Sequence, residues 1–350
     1  MNTAETYMRR ALELASDALG LTAPNPMVGA VIVCDEQIIG EGYHEHYGQA
    51  HAEVNAINQV IGRYTNAAEL LRRSQLFVTL EPCAHQGKTP PCADLIIKHQ
   101  IPEVYIGSID PFEQVNGKGI EKLSAAGIRV HTGILKEACD ELNKRFFTYH
   151  QKQRPYIILK WAESADGLMA PGNKEPYWLS SPTSRKLVHK WRSEEQAILV
   201  GTQTAAKDNP RLDTRLWNGR NPLRLVIDRH LSLSPGLHLF DHSQPTIVFN
   251  EHKTEVQEQL TFVQIDFYGY VPQLIAYQLY LKGIQSLIVE GGAYTLNEFI
   301  RHNLWDEARV FSTPKPLYDG LAAPVLPASQ QMPDTHVEDD HLQIYRNLSA

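Results

Sequence analysis

Two α/β domains in tandem are what this sequence predicts, and three observations predict them. The length suits two cores, strand-sized apolar runs alternate with helical periodicity in both halves, and a polar stretch near residue 150 divides the halves. At 350 residues the chain exceeds one ordinary domain and lets each of two bury its own core. Hydrophobic residues at 43% and charged residues at 21% place it with globular chains rather than disordered ones. The longest apolar runs, such as Val28 to Val33, are strand-sized and far short of a membrane span.

In the first half, Met8, Ala11, Leu12, Ala15 and Leu19 recur at helical spacing and predict a helix over about residues 3 to 19. Ala23-Pro24-Asn25-Pro26 ends it, because two prolines around an asparagine force an extended loop. Val28 to Cys34 and Gln37 to Tyr43 read as a hairpin across a short acidic turn. Ala52 to Ile61 carries helical periodicity, which puts His51 and Glu53 at a helix start, whose positive end favours an anion. Leu76 to Leu80 is a strand, Glu81-Pro82-Cys83 follows its end, and Cys92 opens a helix through Lys98 behind prolines suited to a helix start. A strand at Val104 to Ile109, a helix near Gly119 to Ala126, a strand at Arg129 to Thr132 and a helix from Leu135 to Phe147 complete a layered α/β/α domain over residues 1–147. Thr148 to Arg154 is polar without periodicity and is expected to be a linker.

A second alternation runs over residues 155–350. Strands are expected at Tyr156 to Trp161, Ala197 to Gly201, Leu223 to Asp228, Thr246 to Asn250, Phe262 to Ile265, Ser286 to Glu290, Asp306 to Phe311 and Gln343 to Asn347. Helices are expected at Ser181 to Arg192, Val271 to Lys282 and Tyr294 to Arg301. No repeat links the two halves.

Charge and cysteine usage exclude several classes. A formal net charge of −7 without a basic block argues against a polynucleotide partner. The N-terminus opens as an amphipathic helix without the apolar core of a signal peptide, so a cytoplasmic location and no membrane partner are expected. Four scattered cysteines make no disulfide framework, and Cys34 and Cys139 read as buried structural thiols.

The other two, Cys83 and Cys92, pair with His51. One imidazole and two thiolates fill three positions of a tetrahedral zinc site, and a catalytic site leaves the fourth to water. Zinc lowers that water's pKa towards 7 and makes hydroxide available at neutral pH. Glu53, two residues past the histidine, is the residue of this cluster suited to shuttle a proton. Zinc deaminases combine histidine, glutamate and two cysteines in this way, with the cysteines in a CxxC. Here eight residues separate Cys83 from Cys92. A structural zinc site is the alternative, and it would need a fourth ligand from His44, His46 or His85.

PNPxVG (Pro24 to Gly29), GYH (Gly42 to His44), HAE (His51 to Glu53) and EPCxHxGKTPPC (Glu81 to Cys92) resemble the bifunctional riboflavin-biosynthesis proteins of the RibD type, long cysteine spacing included. The resemblance covers nearly the whole chain. It implies a cytidine-deaminase-like α/β/α sandwich followed by a dihydrofolate-reductase-like α/β domain. It also implies that His51, Cys83 and Cys92 hold zinc, that Glu53 is catalytic, and that Asn25 and His44 hold the pyrimidine. An asparagine held between prolines is a reasonable amide for reading a ring edge, and Gly29 suits a close backbone approach.

In the second half, KxAxSxDG (Lys160, Ala162, Ser164, Asp166, Gly167) resembles the opening of the family's reductase domain and is expected to line its cleft. The resemblance assigns Lys160, Arg192, Leu212, Arg215 and Glu290 to substrate. It assigns Ala162, Trp178, Thr204 and Asp208 to NADPH, together with Gly292, Ala293, Tyr294, Thr295, Leu296, Asn297 and Glu298. Guanidinium groups give planar two-point contacts to phosphate, which suits Arg192 and Arg215 to a phosphorylated substrate. Val289-Glu290-Gly291-Gly292 lets backbone approach a phosphate at a helix start without being a GxGxxG fingerprint. Pro176 and Arg229 depart from the family pattern, and Arg229 is a candidate contact for the cofactor's extra phosphate.

The expected activity is therefore zinc-dependent deamination of a phosphorylated diaminopyrimidine followed by NADPH-dependent reduction of its ribosyl group to ribityl, by a homo-oligomer. A nucleic-acid or nucleoside zinc deaminase with an accessory domain shares the zinc motif but fits neither the charge nor the cysteine spacing. A zinc-stabilised binding module, with Glu53 incidental, is the non-enzymatic alternative.

Overall fold

The computed structural model describes residues 3–84, 90–112, 115–172 and 177–349, and the chain divides into two compact units, Met1–Lys152 and Gln153–Ala350. In the first, α1 (Thr3–Ser16) precedes β1 (Gly29–Cys34), β2 (Gln37–Tyr43), α2 (Ala52–Arg63), α3 (Ala67–Leu71) and β3 (Gln75–Leu80). It continues through α4 (Cys92–Lys98), β4 (Glu103–Ser108), α5 (Lys118–Ala125), β5 (Arg129–Thr132), α6 (Lys136–Leu142) and α7 (Lys144–Lys152). The sheet order is β2-β1-β3-β4-β5, with β1 antiparallel to both neighbours and β3, β4 and β5 parallel.

Successive strand residues point to opposite faces, so β1 feeds two cores. Ala30 and Ile32 pack with Ile57, Val60 and Ile96 on one face, while Val31 and Val33 pack with Met8, Ala11 and Cys139 on the other. Helices cover both faces, which is the expected sandwich. Cys34 and Cys139 are buried in it as expected. Gly29 is required by close approach: a Cβ there would stand 1.9 Å from the carbonyl oxygen of Ala11 in α1.

Two expectations fail at the end of this unit. The helix expected over residues 135–147 is broken at Asn143, whose buried amide accepts from the N–H of Met27 and donates to its carbonyl, both at 2.8 Å. The expected linker 148–154 is mostly helix, because α7 runs on to Lys152. Phe146 and Thr148 are buried there, and the His150 ring packs on Phe146 and Phe112 at 4.4 and 5.1 Å between centroids. Polar residue types concealed an inward helical face. Arg154, the last residue of that expected linker, is buried, bonding Asp306 at 2.6 and 2.8 Å.

The second unit contains β6 (Tyr156–Glu163), β7 (Leu168–Pro171), α8 (Pro182–Glu194), β8 (Ala197–Gly201), α9 (Thr202–Asp208), β9 (Leu223–Ile227), β10 (Thr246–Asn250), β11 (Glu255–Val256) and β12 (Leu260–Gln264). Then follow α10 (Val271–Leu281), β13 (Ser286–Val289), α11 (Ala293–Arg301), β14 (Glu307–Ser312), β15 (Gly320–Ala322), β16 (Ser329–Gln331), β17 (Thr335–Val337) and β18 (Asp340–Asn347). The main sheet runs β11-β12-β10-β9-β8-β13-β6-β14-β18-β16, with β17 also on β18. Its seven strands from β12 to β14 are parallel, and the strands added at the two margins pair antiparallel.

Ile157, Leu159 and Leu287 face the core under α10 and α11, whereas Ile158, Ile198 and Ile288 face the core that includes Val188 and Trp191 of α8. Burial on both faces explains why these strands read as continuous apolar runs. The short elements α3, β7, α9, β11 and β15 to β17 were not anticipated; two to seven residues carry too little periodicity.

Candidate active sites

In the first unit, the metal-binding candidates meet where a strand end and two helix starts converge. His51 is the N-cap of α2, Cys83 follows β3, and Cys92 is the first residue of α4. The Nδ1 of His51 stands 3.2 Å from Cys92 Sγ and 3.6 Å from Cys83 Sγ, and all three ligand atoms lie within 4.8 Å of one another. Tetrahedral zinc with ordinary bond lengths separates nitrogen from sulfur by about 3.6 Å, so this donor set fits zinc. The hydrogen bond from Cys92, against burial and aided by His51, holds the Cys83 thiol down at about 4. Its bond to Cys83 raises His51 against burial, and the Cys83 side chain with burial pushes Cys92 well up.

Glu53 lies in the first turn of α2 with 3% of its surface exposed. Burial pushes its carboxyl up to about 7, with His51 opposing. A carboxyl balanced near neutrality can both take and return a proton. Beside it, His44 Nδ1 faces the carbonyl of Ala50 at 3.0 Å and therefore carries the hydrogen, and burial lowers its pKa. Its Nε2 is then an acceptor for the Asn25 amide NH₂ at 3.1 Å, which leaves the Asn25 carbonyl oxygen free of that bond. The edge of the His44 ring packs on His51, centroids 5.5 Å apart.

Glu81 has a different task. Its buried carboxylate accepts backbone N–H groups from Asp110 (3.3 Å), Gly117 (3.0 Å), Gly119 (2.9 Å) and Ile120 (3.4 Å). The segment it gathers presses on the residue before Cys83: a Cβ on Gly119 would sit 2.0 Å from the Pro82 carbonyl oxygen.

In the second unit, Arg192 near the end of α8 meets Glu290 just past β13 in a two-point ion pair. Arg192 also donates to the Asp213 carbonyl at 3.2 Å, and Arg215 pairs with the Asp213 carboxylate. Burial pushes Glu290 up, but Arg192 and Lys160 outweigh it and hold the carboxyl at about 2. Burial lowers the Lys160 ammonium, with Glu290 opposing. Next to this charged cluster, at the ends of the adjacent strands β8 and β13, α9 and α11 begin at Gly201 and Gly292. A Cβ on Gly291 would meet Thr295 at 2.7 Å, so the α11 entrance leaves no room for a side chain.

The first unit matches the profile of the cytidine and deoxycytidylate deaminase zinc-binding region over residues 1–108, and the second matches the RibD C-terminal domain over residues 155–347. The riboflavin biosynthesis protein RibD of Aquifex aeolicus is 40% identical over 323 residues, covering 91% of this chain and 89% of its own. The chain belongs to the RibD family. RibD of Escherichia coli strain K12 is 34% identical over 349 residues, covering 94% of this chain and 93% of its own. The crystal structure of the Thermotoga maritima diaminohydroxyphosphoribosylaminopyrimidine deaminase/5-amino-6-(5-phosphoribosylamino)uracil reductase matches with a TM-score of 0.90, 38% identity and 98% of both chains covered.

Within this RibD fold the expected deaminase residues converge: Asn25, His44, His51, Glu53, Cys83 and Cys92 form one cluster. Of the alternative fourth ligands, His44 is engaged by Asn25 and Ala50, His46 is exposed, and His85 lies outside the described residues. In the reductase half Lys160, Arg192 and Glu290 come together, while Arg215 is exposed and turned to Asp213. Leu212 is 2% exposed with φ 53°, so only its backbone is available to a ligand. The buried side chains of Ala293 and Thr295 likewise leave backbone N–H groups as their offering, buried Leu296 donates its N–H to the Gly292 carbonyl at 3.2 Å, and Tyr294 and Trp178 are exposed. Ala162 and Thr204 are half-buried, Asp208 is exposed, Asn297 is half-buried and Glu298 pairs with Arg301 and His302.

Further positions bear on these expectations. Ser164 and Asp166 do not simply line a cleft: Asp166 accepts from Ser164 at 2.5 Å and from the N–H groups of Leu317 and Tyr318 at 3.0 and 2.7 Å. Arg229 is tied to Glu251 at 2.7 Å and lies over Tyr268 and Phe267. Pro176 lies outside the described residues. Sequence reasoning missed His189, 4% exposed with Nδ1 lacking a protein partner, which burial and then Arg192 and Arg215 push down to about 4. The signal was its position one helical turn before Arg192.

Proposed function

We infer that this chain carries out two consecutive steps of riboflavin biosynthesis. The first is hydrolytic deamination of 2,5-diamino-6-ribosylamino-4(3H)-pyrimidinone 5′-phosphate to 5-amino-6-(5-phosphoribosylamino)uracil. The second is NADPH-dependent reduction of the ribosyl side chain to ribityl. The observation that carries the reading is the convergence of His51, Cys83 and Cys92 beside buried Glu53, in a chain that is homologous to RibD proteins along most of its length.

His51, Cys83 and Cys92 would hold zinc, which supplies the Lewis acidity that makes water nucleophilic near neutral pH. Glu53 takes the proton from the attacking water, delivers it to the ring nitrogen and then moves one to the departing amine, so that ammonia leaves as the carbonyl forms. Asn25, oriented by His44, presents its carbonyl oxygen to a ring-edge donor. In the second unit NADPH supplies the hydride, and this chain positions sugar and cofactor. Arg192, with Arg215 nearby, supplies cationic groups for the substrate phosphate. Lys160 holds the proton that must reach the substrate as hydride arrives, and the charge of Glu290 favours that ammonium form. The α11 start offers backbone N–H groups to the cofactor phosphates.

The test supplies the diaminopyrimidine phosphate and follows ammonia and NADPH together. The native protein is expected to consume NADPH only after ammonia is released, and Glu53→Ala to release none. Equal ammonia release by both proteins refutes the mechanism. A homo-oligomer and a cytoplasmic location belong to the same proposal; sedimentation equilibrium and cell fractionation read them directly. Among the described residues, no helix is long and apolar enough to cross a membrane.

A further inference from the structure

A second group of metal-binding side chains lies in the reductase unit, beside Arg229. His230, Glu251 and His252 place one ligand atom each within 4.8 Å of one another. Both histidines converge on the same carboxylate oxygen: His230 Nδ1 is 2.7 Å and His252 Nε2 is 3.7 Å from Glu251 Oε1. The other oxygen is already used, since Arg229 Nε donates to Oε2 at 2.7 Å. We propose that His230, Glu251 and His252 form a second divalent-metal site, suited to zinc or a comparable ion that favours imidazole ligands.

The backbone that carries these ligands is rigid. β9 and β10 are parallel neighbours, and their pairing continues past both strand ends through Asp228 N–H to Phe249 O at 2.9 Å and Glu251 N–H to Arg229 O at 3.0 Å. Buried Asp228 then folds the turn bearing His230 by accepting the N–H groups of Ser232 and Leu233, both at 3.0 Å. Buried Asn250 folds the turn bearing His252 by accepting the N–H groups of His252 and Lys253 at 2.9 and 2.8 Å. The ligands thus stand side by side at the carboxyl ends of adjacent parallel strands, where α/β sheets present their ligand sites.

The donor set selects the ion. Two imidazoles with one carboxylate suit zinc, copper, nickel or ferrous iron, whereas magnesium and calcium take all-oxygen sets. Tetrahedral zinc separates nitrogen and oxygen ligands by about 3.4 Å, between the two distances observed. The His230 contact must open by about 0.7 Å and the His252 contact close by about 0.3 Å on the same geometry. Arg229 acts as the outer partner that orients the carboxylate, and its own charge stays paired through Oε2 and stacked over the Tyr268 and Phe267 rings at 5.0 and 5.6 Å. Side-chain exposures of 63% for His230 and 51% for His252 leave the site open to solvent, so the ion enters without unfolding and keeps water on its remaining positions.

Zinc titration of metal-free full-length protein against a competing chelating dye tests this. The native chain is expected to take up about two equivalents and His230→Ala/His252→Ala about one, with ammonia release per loaded chain unchanged. Glu251→Gln is expected to weaken the second equivalent by at least about tenfold, since it removes the anionic ligand. Uptake of a single equivalent by the native chain, or equal uptake by native and double variant, overturns the proposal.

Discussion

Arg192 and Glu290 share two hydrogen bonds, Nε to Oε1 at 3.2 Å and Nη2 to Oε2 at 2.8 Å, with each side chain only 11% exposed. Deleting one partner strands the other charge in a shielded site, which typically costs about 3–5 kcal/mol. Arg192→Ala is therefore expected to destabilise the second unit by that order and to abolish NADPH consumption, while ammonia release persists. Denaturant midpoints and the two assays check it. A parallel loss of ammonia release would remove the residue from the reductase step.

Glu53→Gln keeps the shape of the side chain but removes its proton traffic. General acid–base groups contribute about 10²–10⁴-fold, so ammonia release is expected to fall by that factor. The variant, supplied with the already deaminated intermediate, should still oxidise NADPH at the native rate. Zinc removal by a chelator is expected to give the same split, restored on adding zinc back.

Glu81 gathers four backbone N–H groups, and Gly119 in the same segment touches the Pro82 carbonyl. Hydrogen bonds to a charged group contribute about 1.5–3 kcal/mol, so Glu81→Gln should destabilise the first unit by about 2 kcal/mol or more. Gly119→Ala is expected to displace Pro82 and with it Cys83, which zinc content after dialysis would show as faster metal loss. Unchanged zinc retention in both variants would separate this clamp from the metal centre.

Asp110 is 7% exposed, and burial pushes its carboxyl up to about 7, opposed by the Phe112 N–H and aided by the charges of Glu81 and Cys83. Below the unfolded carboxyl's pKa of about 4, both states hold the proton and the group contributes no slope. Between about pH 4 and 7 the unfolded chain releases the proton while the folded one keeps it, so stability falls as pH rises. Above about pH 7 the penalty is complete, at up to about 4 kcal/mol. Asp110→Asn should flatten that decline, measured as the denaturant midpoint of the first unit from pH 4 to 8.

The long elements were legible because each repeats one period several times. The hairpin through Tyr43, the strand ending at Leu80 and the helix opening at Cys92 lie where apolar pattern and proline punctuation put them. Legibility fails where tertiary contacts outweigh residue type. Asn143 breaks a helix because its amide serves Met27 in sequence-distant backbone, and α7 continues through polar residues because Phe146 and Phe112 receive His150.

Sequence alone determined the donor set, because His, two Cys and Glu at these spacings carry zinc chemistry wherever a fold gathers them. It also determined two α/β units, through strand-sized runs separated by helical periods. Tertiary structure decided which side chains face a ligand at all. Leu296 and Leu212 turn into the core, Asp166 holds a neighbouring loop, and Arg229 serves Glu251 rather than standing open. Glu81 became a clamp for the segment against Pro82. The physical reason is that a side chain's direction and partners depend on packing between segments distant in sequence, whereas its chemistry is local to the residue.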